Sequence, residues 1–149
     1  MIRKAKVQDV KKIQLLINYF AKLDLMLPRS LNELYENIRN FWVFVDKKKI
    51  LGCCALHVSW QDLGEIKSLA VDERFQRKGI GKQLVINCIN EAGNLGIKKI
   101  FVLTYKPKYF KKFGFKKISH SKLPHKIWVE CINCHKFSHC QEIAMIKRL

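Results

Sequence analysis

The stretch of the chain best suited to chemistry is a charged, glycine-bearing turn between an apolar strand-like segment and a helix-like segment. Gly79 and Gly81 stand one residue apart in this turn, and the helical pattern starts immediately after them. Such a turn gathers several backbone N–H groups at the N-terminus of a helix, where the helix dipole also favours negative charge. Because glycine has no Cβ, a phosphate can approach the backbone closely there. Arg77, Lys78 and Lys82 add positive charge, so the turn is predicted to bind an anion.

The spacing of this turn differs from that of the two best-known phosphate loops. A Walker loop requires G-x-x-x-x-G-K-[ST], and the dinucleotide fingerprint requires a third glycine. Here Gly81 is followed by Lys82, Gln83 and Leu84. On this pattern alone, the segment is either a phosphate-binding loop or an ordinary connection between a strand and a helix.

The composition indicates one domain with a substantial core. The chain has 149 residues, of which 48% are hydrophobic, and this length suffices for a single folded unit. No window approaches the roughly 18 uncharged apolar residues that a membrane span requires. The N-terminal residues lead directly into a strand-like segment rather than an apolar signal region. We therefore expect a soluble, cytoplasmic protein with no membrane contact.

The charge balance favours anionic partners. Lysine and arginine number 29 against 12 acidic residues, which gives a formal net charge of +17. Nucleic acid is the usual first candidate for such a chain, although the basic residues are spread along its whole length. A phosphate-bearing cofactor, an acidic small substrate or a simple compositional bias toward Lys and Asn would account for the same surplus.

Hydrophobic periodicity and turn signals predict an alternation of strands and helices along the chain. Asp9 is expected to cap the first helix, Ser30 and Glu33 are expected to form a capping box on the second, and Gly96 is expected to end the third. The predicted strands cover residues 2–7, 41–45, 49–60, 63–71, 98–104, 115–118 and 142–147, and the predicted helices cover residues 9–23, 30–38, 80–96 and 107–113.

In the residues Gln76-x-x-Gly79-x-Gly81, placed between a strand and a helix, the chain resembles the GNAT superfamily of acetyl-CoA-dependent N-acetyltransferases. The pyrophosphate-binding loop of that family has the pattern Q/R-x-x-G-x-G/A. The aromatic segment 109–115, with its Gly-Phe ending, and the order of elements extend the resemblance over the chain. The resemblance implies a single N-acetyltransferase domain over residues 1–149. Its expected fold is α/β (α+β), with a mixed, mostly antiparallel sheet of about six to seven strands flanked by about four helices.

The resemblance also implies a mechanism, in which an acceptor amine attacks the thioester of acetyl-CoA directly. A bulge over residues 69–71 is expected, where a backbone N–H, assigned to Leu69, polarises the acetyl carbonyl. Glu65 matches the position of a general base in many family members; its alternative role is a solvated charge at a strand end. The residues assigned to the acetyl-CoA site are Leu69, Ala70, Val71, Gln76, Arg77, Lys78, Gly79, Ile80, Gly81, Lys82 and Phe110.

The chain departs from the family at one aromatic position. Many GNAT enzymes have a tyrosine there that protonates the departing thiolate, whereas this chain has Phe110. Tyr109, one residue earlier, is expected to point elsewhere on its helix. A simple thiol has a pKa near ~8.5, so the thiolate can leave near neutral pH without a dedicated acid.

Segments 27–31, 34–39, 123–128 and 142–145 are most similar to the short, stand-alone N-acetylglutamate synthases of this superfamily. That resemblance implies acetylation of the α-amine of L-glutamate, the first step of arginine biosynthesis. Because glutamate carries two carboxylates, its pocket needs cations and hydrogen-bond donors, and the candidates are Arg29, Lys67 and Ser68. One alternative is N-acetylation of another small amine, a polyamine or a protein N-terminus or lysine. A basic nucleic-acid-binding module that uses the loop bearing Cys131, Cys134 and Cys140 ranks third, since no aromatic-basic recognition pattern is present.

A cysteine-bearing loop is predicted at about residues 119–141. Cys131, Cys134 and Cys140, together with His139, could close a tetrahedral structural zinc site, and the alternative is three reduced thiols in a loop. Cys53, Cys54 and Cys88 fall in strand and helix patterns and are expected in the core. By analogy with other domains of this family, pairing into a homodimer is also expected.

Overall fold

The computed structural model describes residues 1–122 and 142–149 around a seven-stranded sheet. The helices are α1 (Val10–Lys22), α2 (Leu31–Glu36), α3 (Ile80–Asn94) and α4 (Pro107–Lys111). The strands are β1 (Ile2–Lys4), β2 (Phe41–Asp46), β3 (Lys49–Trp60), β4 (Leu63–Val71), β5 (Lys99–Thr104), β6 (Lys116–Lys117) and β7 (Ile143–Arg148). The predicted α/β class, with seven strands and four helices in this part of the chain, is confirmed.

The sheet is mixed and mostly antiparallel. Its strand order is β1-β2-β3-β4-β5-β7-β6. Neighbouring strands run antiparallel except β4 and β5, which are parallel. A parallel pair requires a crossover connection, and α3 supplies it between the ends of these two strands. The last strand, β7, lies between β5 and the short edge strand β6, so the chain does not end at the edge of the sheet.

Two hydrophobic clusters lie on opposite faces of the sheet. Successive residues of a strand point to opposite faces, and Cys53 and Ala55 of β3 pack with α1, while Cys54 and Leu56 pack with α3. The α1 face buries Val10, Ile13, Ile17 and Phe20, as the helical periodicity predicts. The α3 face buries Ile80, Leu84, Val85, Cys88 and Ala92.

Helix α3 ends as its sequence predicts. Gly96 adopts a left-handed φ of 85°, its N–H donates to the Gly93 carbonyl at 3.1 Å, and the Ile97 N–H donates to the Ala92 carbonyl at 3.0 Å. This pair of hydrogen bonds is a Schellman motif, which satisfies carbonyls that the helix end would otherwise leave unpaired. The motif turns the chain sharply into β5, which starts at Lys99.

The helix starts differ from the sequence prediction in two places. Asp9 occupies the N-cap position of α1 without capping it. Its carboxylate instead accepts from the Lys6 N–H and pairs with Arg3, each at 2.7 Å, because a 3-10 turn over Val7–Asp9 precedes the helix. At α2, the Ser30 Oγ accepts from the Glu33 N–H at 3.1 Å. The Glu33 carboxylate turns to Arg29 instead, so only half of the capping box forms.

Several predicted strands and helices are also shorter in the structure. Strand β1 stops at Lys4, ahead of the 3-10 turn over Val7–Asp9, and β6 keeps only two residues of the predicted 115–118. Helix α4 ends at Lys111, two residues before Phe113. Within the described ranges, no helix has both the length and the apolar character that crossing a membrane would require.

Candidate functional site

The sheet splits at the junction between β4 and β5. Leu63, Gly64 and Glu65 pair with Lys99, Ile100 and Phe101, and the pairing stops there although β4 continues to Val71. Beyond Glu65, the backbone groups on this edge of β4 have no partner strand, so they face the gap between the two strands. The gap opens into a cleft of about 1730 Å³ that residues of both strands line.

A β-bulge lies in β4 beside this cleft. Cys53 pairs with Ala70 and Ala55 pairs with Lys67, so Ser68 and Leu69 together oppose the single residue Cys54. Ser68 has a φ of 56°, in the left-handed region that non-glycine residues seldom adopt. The extra residue therefore lies at Ser68 and Leu69, whereas the sequence predicted a bulge over 69–71. The left-handed residue produces the kink, and nothing in the residue type of serine signals it.

The glycine turn forms the N-terminus of α3. Gly79 is the N-cap residue with a φ of 84°, and Gln83 is the first residue whose N–H reaches an acceptor one turn back, the Gly79 carbonyl at 3.0 Å. The N–H groups of Ile80, Gly81 and Lys82 precede it and have no acceptor within the helix. No heavy atom lies within 4 Å of the position that a Cβ on Gly79 would take. The turn therefore presents open backbone donors to the cleft, as an anion site requires.

Side chains around the turn divide into those that face the cleft and one that does not. The Gln76 side chain donates from Nε2 to the Val71 carbonyl at 2.9 Å, which holds the turn against the end of β4. Arg77, in a left-handed conformation, and Lys82 line the cleft. The whole predicted cofactor set lies in the described part of the chain. Within that set, only Lys78 does not line the cleft. Its Nζ lies 5.4 Å from the centroid of the Phe75 ring.

Glu65 lies at the point where the strands separate. It is buried, with 7% of its surface exposed, and the Lys67 Nζ is 4.0 Å from its Oε1. The β3–β4 register places His57 directly opposite Glu65, and both residues line the cleft. Asn40 adds an amide whose Nδ2 is 3.5 Å from the His57 Nδ1. A carboxylate, an ammonium group and an imidazole thus meet at one level of the sheet.

His57 and Asn40 are site residues that the sequence analysis did not identify. One signal was available for His57, because the predicted hairpin turns at residues 61–62 and places position 57 near position 65 on the neighbouring strand. No feature of the sequence indicated Asn40 as a site residue. It ends a 3-10 turn, Ile38–Asn40, that replaces the last part of the predicted second helix.

Arg29 lies on the opposite wall, in the connection between α1 and α2. Its backbone is tied to α1, since its N–H donates to the Asn18 Oδ1 and its carbonyl accepts from the Gln14 Nε2, each at 3.1 Å. Its Nη1 pairs with the Glu33 Oε2 at 2.7 Å. Its Nε is buried and has no hydrogen-bond partner among the described residues. The guanidinium lines the cleft with one donor side unused by these residues.

The orientation of the aromatic helix α4 contradicts the prediction made for Tyr109. Phe110 lines the cleft but is mostly buried in the core, with 5% of its surface exposed, and its ring centroid is 5.6 Å from that of Phe115. Tyr109 was expected to point elsewhere, but it lines the cleft. Its hydroxyl oxygen is 2.8 Å from the position that a Cβ on Gly81 would take. Adjacent helix positions differ by about 100°, and in this helix position 109 faces α3 while position 110 faces the core.

The predicted zinc ligands, Cys131, Cys134, His139 and Cys140, lie outside the described residues, as does the segment 123–128. The two described ranges contain no group of three His, Cys, Asp or Glu side chains arranged to hold a metal ion. Cys53, Cys54 and Cys88 are buried free thiols, as predicted for core positions. Burial raises the pKa of the Cys53 thiol to about 12, so it stays protonated.

Comparisons with known proteins fit this architecture. The model of the acetyltransferase (GNAT) family matches residues 7–115. An uncharacterized N-acetyltransferase of Chlorobaculum tepidum is 40% identical over 148 residues, covering 99% of this chain and 96% of that protein. An amino-acid acetyltransferase of Mycobacterium tuberculosis is 37% identical over 121 residues, covering 79% of this chain and 69% of that protein. The structure of N-acetylglutamate synthase from Neisseria gonorrhoeae, complexed with coenzyme A and N-acetyl-glutamate, matches with a TM-score of 0.91 at 28% identity, covering 100% of this chain and 35% of that chain.

Proposed function

The chain belongs to the GNAT acetyltransferase family, and from this premise we propose that it transfers the acetyl group of acetyl-CoA to the α-amine of L-glutamate. Family membership and the relatives make it an acetyl-CoA-dependent N-acetyltransferase. The proposal concerns the acceptor, and with it a place at the first step of arginine biosynthesis. It is supported by relatives named amino-acid acetyltransferase and by the likeness to a solved N-acetylglutamate synthase.

The observation that carries the choice of glutamate is the state of Arg29. Its side chain lines the cleft and keeps 20% of its surface exposed, while its Nε is a buried donor without a partner among the described residues. A carboxylate in the cleft would accept a charge-assisted hydrogen bond from the exposed part of this guanidinium. Glu33 holds the other side of the group in place. Because the substrate carries two carboxylates, Lys67 and Ser68 on the β4 wall are assigned to the second one.

The proposed reaction needs no covalent enzyme intermediate. The amine nitrogen attacks the thioester carbon, a C–N bond forms, and the carbonyl electrons move to oxygen. The Leu69 backbone N–H at the bulge is assigned to this oxyanion, and one such donor contributes on the order of 3–4 kcal/mol. As the oxyanion collapses, the C–S bond breaks and coenzyme A leaves as a thiolate. Glu65 takes the amine proton directly or through water.

A free-thiol release assay tests the acceptor. We expect acetyl-CoA to yield thiol rapidly with L-glutamate and slowly with L-glutamine, L-aspartate, L-lysine and spermidine. Each of the four lacks the glutamate side chain with its carboxylate at the right distance, and a cationic cleft disfavours spermidine. Rapid release with spermidine or L-lysine, but not with glutamate, would retain the acetyltransferase and reject the proposed acceptor.

Replacing Arg29 by alanine should lower kcat/KM for glutamate on the order of 100-fold, because a charge-assisted contact is lost. Coenzyme A affinity should not change, since the glycine turn is untouched. Arg39→Ala is the matched control: Arg39 is exposed on the 3-10 turn and does not line the cleft. Equal losses in both variants, or no loss in the first, would remove the glutamate assignment.

A further inference from the structure

The Tyr109 hydroxyl lies at the glycine turn. Its oxygen is 2.8 Å from the position of a Cβ on Gly81, and the same position is 3.6 Å from the Val71 Cγ2. Gly81 is the second residue of α3, so the hydroxyl stands beside the open backbone donors of the first helical turn. The bulge at Ser68 and Leu69 precedes the end of β4.

The ring of Tyr109 is held in place by its neighbours. Its centroid is 5.3 Å from that of Phe110 and 5.4 Å from that of Phe113, both in edge-on geometry. The side chain is half-buried and lines the cleft. Burial raises the pKa of the Tyr109 hydroxyl above its ordinary value, so the group is an O–H donor throughout the neutral range. The described residues provide it with no hydrogen-bond acceptor.

We propose that Tyr109 is a cofactor-binding residue that donates a hydrogen bond from its hydroxyl to the phosphate groups of coenzyme A at the first turn of α3. The phosphate oxygens accept there from the backbone N–H groups of the turn and from the hydroxyl together. The side chain approaches this closely only because position 81 is glycine. The assignment rests on the family's cofactor and is independent of the acceptor amine.

Calorimetric titration of Tyr109→Phe with coenzyme A and with desulfo-coenzyme A tests the assignment. Loss of a hydrogen bond to a charged group should weaken the binding of both ligands about tenfold, because the phosphates are common to both. Tyr35→Phe makes the same change on an exposed tyrosine outside the cleft and should leave both affinities unchanged. No acceptor amine is present in these titrations, so the result does not depend on the proposed glutamate reaction.

Two results would overturn the proposal. Weaker binding of coenzyme A alone, with desulfo-coenzyme A unaffected, would place the hydroxyl at the sulfur. Unchanged binding of both ligands would remove Tyr109 from the cofactor site.

A second variant pair tests the spatial argument. Gly81→Ala places a methyl group where the hydroxyl now lies, so it should weaken coenzyme A binding in the native chain. In the Tyr109→Phe background, the same substitution should reduce the affinity for coenzyme A several-fold less, because the hydroxyl no longer occupies that space. An equal loss of affinity in the two backgrounds would contradict the close approach of the Tyr109 hydroxyl to Gly81.

Discussion

At the level of single residues, Glu65 combines burial with a central position in the cleft. It lies where β4 and β5 part, opposite His57 and beside Lys67. The resemblance to the GNAT family, in which this strand position carries a general base in many members, predicted that role for Glu65. The grouping of its neighbours depends on strand register, and this is why His57 was missed.

Glu65→Gln should lower kcat by roughly 10²–10⁴-fold, the range typical of general-base removal. Coenzyme A binding should be retained, because the amide replaces the carboxylate with nearly the same shape. Steady-state kinetics with glutamate would measure this. Asp62→Asn is the control, since Asp62 lies in the hairpin turn outside the cleft, with its Oδ2 3.8 Å from the Lys99 Nζ. A kcat within about twofold of the native value for Glu65→Gln would contradict the assignment.

At the level of elements, the bulge in β4 and the start of α3 form the site together. The glycine turn could be predicted because its signal is local: two glycines, basic residues and a following helical pattern. The bulge could be placed only approximately, since its left-handed residue is a serine. The orientation of Tyr109 depends on how the five-residue helix α4 packs, and sequence periodicity does not resolve so short a helix.

Substitutions at Ser68 should separate backbone geometry from side-chain chemistry. Ser68→Val should lower the free energy of unfolding by about 1–3 kcal/mol, because a β-branched residue is strained at positive φ. Ser68→Gly should preserve stability or raise it slightly, since glycine adopts this φ without strain. Urea denaturation gives both values, with Ser121→Val as an exposed control. A Ser68→Val protein as stable as the native chain would contradict the bulge geometry.

The junction between β1 and α1 should show a defined pH dependence. The Arg3 guanidinium holds the pKa of the Asp9 carboxyl below its ordinary value, mainly through their hydrogen bond. A lowered folded-state pKa contributes stability at pH values above the unfolded pKa, and this contribution is lost as the pH falls through the folded pKa.

Asp9→Asn should therefore destabilise the protein by about 1–3 kcal/mol near neutral pH. The difference from the native chain should shrink as the pH falls below about 4. Denaturation midpoints measured across this range would show whether it does. A difference that stays constant with pH would assign the loss to packing rather than to the ion pair.

At the level of the whole molecule, the acidic residues are unevenly distributed along the chain. Residues 92–122 contain nine lysines and no Asp or Glu, and this stretch includes β5, α4 and β6, which follow the glycine turn. Coenzyme A and glutamate are both anions, so this field should raise their encounter rates with the cleft. The sequence established the surplus of positive charge, but only the fold shows that Lys106 and Lys112 of this stretch line the cleft.

Raising the ionic strength from about 0.05 M to about 0.5 M should lower kcat/KM for acetyl-CoA several-fold, because salt screens this attraction. The value of kcat should change little, since the bound complex is screened less. Steady-state kinetics across a salt series would measure both constants. A salt-independent kcat/KM would show that the basic surface does not assist cofactor capture.

The most direct test of glutamate acetylation is to observe the bond that the enzyme makes. The protein would be incubated with acetyl-CoA labelled with carbon-13 at the acetyl carbonyl and with L-glutamate labelled with nitrogen-15. Acetylation of glutamate should give a carbonyl resonance split by one-bond coupling to the labelled nitrogen, and this signal should be lost in Glu65→Gln and Arg29→Ala. Acetyl-CoA that remains intact with glutamate, while another amine in the panel becomes acetylated, would contradict the proposed acceptor.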